Sequence, residues 1–426
     1  MPIENKKKVF FKNTVMLYIL QFSTYLFSFI TVPYQTRVLG PDVYSYLGVA
    51  TSLMVYFQLI MDFGFILSAT EEVSQFREDK ARLGKIYTSV NILKIGLAAV
   101  SLGILLVVCN VIPKFQGHME LYLLYFAAYV INAFLPDFLY RGLEQMTAIT
   151  YRTVVVKALF TLLIFVFLKK PDDYIIVPVL LAVGNLVAVI WANLDVQLHL
   201  KIHFARITFN DLKNSAGRSA FFFLSRIAST VFTATNTVLL GASSAVNDTV
   251  TGFYSAADKL MTTGKSAISP LSDSAYPYMV KNRDFRLVKK ILLIFEPIII
   301  IGSIGIFIFA DPLCGLLFGK DFITLSPPDV TYTTGDVLRA MMPIAVVILP
   351  SYLLGFPTLG AMGLSKQVNY STIFGTVLHL INMGVLYGFG LINAVTLAIL
   401  MSIAETSILI FRIIVILRHR DMFNKS

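Results

Sequence analysis

Long, almost uninterrupted apolar runs recur from one end of this 426-residue chain to the other, as at 174–190 and 291–310. About 20 apolar residues carry a helix across the hydrocarbon core of a bilayer, where each backbone polar group has to be satisfied inside its own segment. Such runs point to an all-α polytopic membrane protein. Composition agrees: 14% of the residues are charged, against roughly 25% in soluble domains, and mean hydropathy is +0.74.

Stretches of that length predict about twelve transmembrane helices, near 13–33, 43–67, 87–111, 120–139, 149–168, 174–194, 219–241, 250–276, 290–310, 336–357, 368–388 and 390–416. The first follows Lys6, Lys7 and Lys8 but is too long for a signal peptide and lacks a cleavage pattern. Lys and Arg set the orientation. With the N-terminus inside, the inner segments include 6–12, 77–85, 201–218, 281–290 and 418–425. That side holds about 22 basic residues against about 5 in the outer loops, with about 8 inside helices. Both termini are therefore expected to be cytoplasmic. The net charge of +10 reflects this bias. Its basic residues are scattered over short loops, so no nucleic acid is expected as a partner. Cys109 in a span and Cys314 in an outer loop imply neither a disulfide framework nor a metal site, and no cofactor is called for.

The longest segments outside the spans, 196–218 and 311–335, are too short to be folded domains, so the chemistry belongs within the helices. A weak internal repeat relates the two halves. RVLGPDVYSYLGVATSL followed by FREDKARLGKI in the first is echoed by TVLLGASSAVNDTVTGFYSAADKL followed by KNRDFRLVKKI in the second, about 200 residues on. Six spans per half make the repeats parallel, related by an axis along the membrane normal, with substrate sites expected between them. The expected architecture is two parallel six-helix bundles, 1–200 and 201–426, around a central cavity.

Polar residues fall in stripes. On the span near 250–276, Ser255, Asp258, Thr262, Lys265 or Ser266, Ser269 and Asp273 recur at helical spacing, and Pro270 is expected to bend the helix. The preceding span carries Ser219, Arg226, Thr230, Thr233 and Thr237 on one face. In the first half, Thr14, Tyr18, Gln21, Tyr25 and Ser28 form a milder stripe, as do Gly48, Thr51, Gln58 and Asp62. A lone Ser or Thr commonly joins helices in membranes. Four stripes in matching positions, with Arg226, Lys259 and Lys265 as cations, fit a water-filled cavity better, since intramembrane charges face such cavities or pair inside the bundle. Asp258 and Lys259 are adjacent and point about 100° apart. Lys265 and Asp273 lie about 12 Å apart along the axis, so their partners come from other helices or from a ligand. The cations make a lining for an anionic ligand.

Other intramembrane polar groups (Glu296, Lys157, His379 and Glu405) stand alone on apolar helices and are expected to make interhelical hydrogen bonds. Arg37 and Arg339 lie near outer ends, where they could snorkel. Asp137 and Arg141 are one turn apart and are expected to pair. No nucleotide loop, zincin His pair or G-x-S-x-G elbow occurs, and no enzymatic activity is expected.

The stretch VPYQTRVLGPDVYSYLGVATSLMVYFQLIMDFGFILSATEEVSQFRED, with NTVLLGASSAVNDTVTGFYSAADKL and SAYPYM, resembles the Wzx-type polysaccharide flippases of bacteria. The resemblance covers most of residues 10–290, the last third being generic hydrophobic helix. It implies two six-helix bundles with a V-shaped cavity, as in the superfamily that also holds multidrug-and-toxin extruders and lipid II flippases. It implies as substrate an undecaprenyl-pyrophosphate-linked oligosaccharide repeat unit, moved from the cytoplasmic to the periplasmic leaflet of the bacterial inner membrane for O-antigen or capsule assembly. Membrane lipids and a polysaccharide polymerase of the same pathway are the further partners implied. A pyrophosphate suits Arg226, Lys259 and Lys265; Asn236, Gln21 and Gln58 are candidates for the sugar. Asp62, Asp258 and Asp273 are candidates for gating or coupling. The family's usual Asn-Thr-Asp is Asn236-Thr237-Val238 here, so the acidic residue is absent. Two other functions compete. A drug or cation extruder calls for an anionic or aromatic cavity. A membrane glycan polymerase calls for large outer loops with acid/base residues, where 311–335 offers Asp311, Asp321 and Asp329 without a His.

Overall fold

The computed structural model describes residues 3–419 apart from Pro327 and Asp329. Asp329, the tail beyond residue 419 and the side chains of Lys6, Lys7, Lys8 and Thr233, all named above, lie outside the described residues.

Among the described residues every regular element is helical. The first half comprises α1 (Ile3–Asp62), α2 (Phe65–Gln75), α3 (Lys80–Val111), α4 (Pro113–Gln116), α5 (Met119–Ala133), α6 (Asp137–Gly142), α7 (Met146–Phe167) and α8 (Ile176–Leu198). There follow α9 (Phe209–Ala242), α10 (Asp248–Asn282), α11 (Phe285–Ile308), α12 (Ala310–Phe318), α13 (Thr334–Leu353), a π-helical segment (Leu354–Gly360), α14 (Ser365–Gly388) and α15 (Ala394–Arg418).

Nine helical stretches among the described residues are long and apolar enough to cross a membrane. The first, residues 12–75, covers two of the expected spans, because α1 is two helices joined at Gly40. Its φ of 72° and ψ of 170° suit a residue without Cβ, and Pro41 then opens the next helix, where its missing N–H leaves nothing unsatisfied. At the far end Gly64 turns the chain again, with φ 80°, into α2. The expected spans at 219–241 and 250–276 fall within α9 and α10, which are 34 and 35 residues long. Both have the length to span but are too polar to join the nine, and they carry the second half's two polar stripes. α10 continues through Pro270 to Asn282.

The chain forms two compact units, Met1–Val38 with Ala50–Thr230, and Leu39–Val49 with Val231–Ser426. The divisions fall inside α1 and α9. Unit 1 is built on a buried cluster that includes Phe65, Val73, Leu83, Tyr87, Phe138 and Val196, drawn from α2, α3, α6 and α8. Unit 2 has a smaller cluster of Ala275, Met279, Val288, Leu349 and Leu353 from α10, α11 and α13.

In lipid, helices associate by close packing, because lipid tails are as apolar as Leu. Glycines set the closest approaches. A Cβ on Gly252 would lie 2.0 Å from the Pro41 carbonyl oxygen, and one on Gly241 would lie 2.2 Å from Val49 Cγ2. In unit 1, a Cβ on Gly64 would meet the Ser219 carbonyl oxygen at 2.6 Å.

Two expected local arrangements are corrected. Asp137 pairs with Arg152, at 2.5 Å, instead of with Arg141. Arg152 is buried and extends back from the next helix, so tertiary packing overrides the neighbour one turn away. Arg339 does not simply snorkel: it donates to Asp311 at 2.7 Å and Asp336 at 2.8 Å. Asp311, at the start of α12, also accepts from the Thr333 hydroxyl at 2.6 Å. Burial alone would raise the Asp311 carboxyl, but these hydrogen bonds outweigh it and hold it below the usual carboxylate range.

Candidate functional site

The sequence-predicted residues are distributed over both units. In unit 2, the first turns of α10 are buried and its later turns open out, so that Lys259, Thr262 and Asp273 are exposed on one face. Neither Lys259 nor Asp273 makes an ion pair among the described residues, while Asp258, half-buried, acts on both lysines through space.

Lys265 lies differently. Its ammonium is 2.5 Å from Glu405 on α15, with side-chain exposures of 13% and 8%. One face of α10 thus points at α15 and the adjoining face at open space. Seven residues on from Glu405, and so on the same side of α15, buried Arg412 donates to the Ser351 carbonyl at 2.5 Å and to the Ser371 hydroxyl at 3.0 Å. Lys265, Glu405 and Arg412 thus bring three buried charged groups together within unit 2.

Asn236, a predicted sugar contact, is 2% exposed. It donates to the Tyr254 hydroxyl at 2.8 Å, and its carbonyl oxygen lies 2.8 Å from His379 Nε2. Both ends of its amide are occupied within the protein, so it presents no surface to a sugar in this conformation.

In unit 1, Arg226 and Asp62 approach to 4.0 Å, with side-chain exposures of 40% and 24%. That is a loose ion pair, longer than a charge-assisted hydrogen bond. Behind it, Lys94 of α3 is buried, donates to the Ala133 carbonyl and lies 5.8 Å from the Phe138 ring centre. The carboxylates of Asp62 and Asp137 act on it through space. Gln58 is half-buried, and Gln21 is exposed and donates to the Tyr25 hydroxyl at 2.6 Å. Towards the loop after α2, Glu72 receives Arg82 at 2.8 Å and Arg218 at 3.3 Å.

Of the lone intramembrane polar groups, Lys157 donates to Thr24 at 3.0 Å, and His379 and Glu405 have the partners given above. Those three make the interhelical contacts expected of them. Glu296 does not: its Oε2 is buried with no hydrogen-bond partner. Lys94 and Arg412 escape a search for stripes, since each is the one charge in its apolar neighbourhood. The seven-residue spacing from Glu405 to Arg412 is the signal that could have found the second. Among the described residues no group of three or more His, Cys, Asp or Glu could hold a metal ion.

By its fold the chain is a multi-pass, all-helical membrane protein. Solved structures with the same fold include the lipid II flippase MurJ in an inward closed conformation (TM-score 0.64, 12% identity, 97% of this chain and 89% of that one). An inward-facing multidrug resistance transporter of the MOP superfamily aligns as well (TM-score 0.65, 16% identity, 97% and 98%). The chain belongs to the polysaccharide biosynthesis protein family, whose sequence profile matches residues 10–283. Two curated relatives, from Shigella dysenteriae and Escherichia coli K12, are each named "Putative O-antigen transporter". The first is 26% identical over 89% of this chain and 92% of its own length, the second 25% identical over 69% and 70%.

Proposed function

We propose that this protein is a flippase that moves undecaprenyl-pyrophosphate-linked oligosaccharide repeat units from the cytoplasmic to the periplasmic leaflet for surface polysaccharide assembly. The reading is carried by the exposed polar face of α10, where Lys259, Thr262 and Asp273 stay accessible on a helix long enough to span the membrane. A charge held at membrane depth without a protein partner is costly unless it faces water or a ligand. The names of the two relatives support the substrate class.

Within this reading Lys259 is the cation open to a pyrophosphate. Lys265 can serve only if the phosphate displaces Glu405. Arg226, loosely held by Asp62, offers a further guanidinium. Both termini lie on the cytoplasmic side, in keeping with the excess of Lys and Arg in the segments there.

The test is a strain in which this chain is deleted. Lipid-linked repeat units should accumulate with no surface polymer, and the wild-type chain should restore export while Lys259→Ala should not. Normal surface polysaccharide in the deleted strain, with sensitivity to cationic drugs instead, would place the protein among drug extruders.

A further inference from the structure

Within unit 2, α11 on one side and α13 with the π-helical segment on the other frame a groove of about 660 Å3. Leu293 and Ile300 of α11 face Pro350 and Leu354 across it. Thr358 also lines it, but its hydroxyl is spent on the Leu353 carbonyl at 2.8 Å. Lys289 and Glu296 alone bring charge to the wall.

Those two charges lie at different depths. Lys289 is in the first turns of α11, where Arg286, Lys289 and Lys290 are all exposed and share one side of the helix. Asp284, the nearby acid, is occupied in capping the Arg286 backbone N–H at 3.1 Å. The helix N-terminus adds its own partial positive charge at that end. Glu296 lies two turns further along, and its Oε2 has no hydrogen-bond partner. An anion is therefore drawn to the Lys289 end and kept from the deeper part. From Lys289 to Ile300 the groove follows α11 for about 16 Å, close to the thickness of one leaflet of a hydrocarbon core of roughly 30 Å. The basic end is also the one the Lys and Arg distribution assigns to the cytoplasmic side, whose leaflet carries the anionic lipids.

We propose that this groove is a binding site for an anionic glycerophospholipid of the cytoplasmic leaflet. One acyl chain lies between α11 and α13, and the phosphate sits on Arg286, Lys289 and Lys290. The lipid covers the apolar wall beside the π-helical segment, a kind of helical irregularity that often accompanies function.

Native mass spectrometry of the detergent-purified protein, titrated with phosphatidylglycerol or phosphatidylcholine, tests this. The wild type should hold one phosphatidylglycerol at least tenfold more tightly than phosphatidylcholine. Arg286→Ala with Lys289→Ala should remove that preference, by roughly fivefold per basic residue and so about 25-fold for the pair. Leu293→Trp, at a position 66% exposed and so tolerant of a larger side chain, should fill the groove and abolish retention of the bound lipid. Equal retention of the two lipids by the wild type would overturn the proposal, as would undiminished phosphatidylglycerol binding in both variants. So would selective capture of a polyprenyl pyrophosphate in place of phosphatidylglycerol. Because bound lipid is read in detergent, the result is independent of whether the protein flips a lipid-linked sugar.

Discussion

Lys259 and Lys265 are six residues apart on α10, yet their surroundings give them opposite expectations. Lys265 is half of a buried pair with Glu405. Removing one member leaves the other charged and unpaired, which costs about 3–5 kcal/mol, whereas replacing both with apolar residues of similar volume is often neutral. Lys265→Ala should therefore lower the melting temperature in detergent sharply, and Lys265→Met with Glu405→Leu should restore most of it. A single variant that melts like the wild type would show that the pair does not stabilise the fold. Lys259→Ala, at an exposed position, should melt normally. Loss of its charge-assisted contact should weaken substrate binding by about 1.5–3 kcal/mol. Undiminished export by Lys259→Ala would remove this residue from the site. Lys265 was legible from its spacing on a polar stripe, and Lys259 as a second intramembrane cation on the same helix. The partner was not, because Glu405 is 140 residues away and periodicity along one helix carries no information about which helix it meets. The partners of Asn236 were hidden for the same reason, since His379, which lies at its carbonyl oxygen, is 143 residues on.

At the scale of elements, the spans were legible wherever an apolar run was long, and the breaks at Gly40-Pro41 and Gly64 followed the turn chemistry of those residues. α9 and α10 fall short of the apolarity of the other spans because their polar faces dilute them. Their packing rests on small residues, which the sequence motif carries but does not explain. Gly252 lies against the Pro41 carbonyl with no room for a methyl group. Gly252→Ala should destabilise unit 2 by about 1–3 kcal/mol through overpacking, seen as a lower melting temperature; an unchanged melt would mean that Pro41 and α10 separate freely. Asp62 and Arg226 test a different property of these helices. At 4.0 Å the pair is loose enough for an incoming phosphate to compete for the guanidinium, and a ligand shifts a conformational equilibrium only through such differential contacts. Asp62→Arg combined with Arg226→Asp keeps an ion pair but takes the cation away from position 226 of α9. The swapped protein should fold and fail to transport. Full activity would reduce the pair to a static bridge.

For the whole molecule, hydropathy made the fold class legible, and the motifs within residues 10–290 made the family legible. The last third reads as generic helix, yet it supplies Glu405, Arg412 and His379, the partners and neighbours of the charged and polar residues on α9 and α10. A sequence scan marks Glu405 and His379 as lone polar groups that bond between helices, but it passes over Arg412 and names the partner of none of them. The central claim is that the chain moves a lipid-linked anion across the bilayer without altering it. An inside-negative potential drives such an anion outward by about 2.3 kcal/mol per charge per 100 mV. The direct measurement uses purified protein in vesicles loaded with a fluorescent undecaprenyl-pyrophosphate-linked oligosaccharide, with the exposed sugar followed at the outer leaflet and its length checked afterwards. The wild type should move the lipid outward faster when the interior is made negative at constant proton gradient, with the glycan unchanged in length and Lys259→Ala impaired. A lengthened glycan, or transport by wild type and Lys259→Ala alike with no response to the potential, would contradict it.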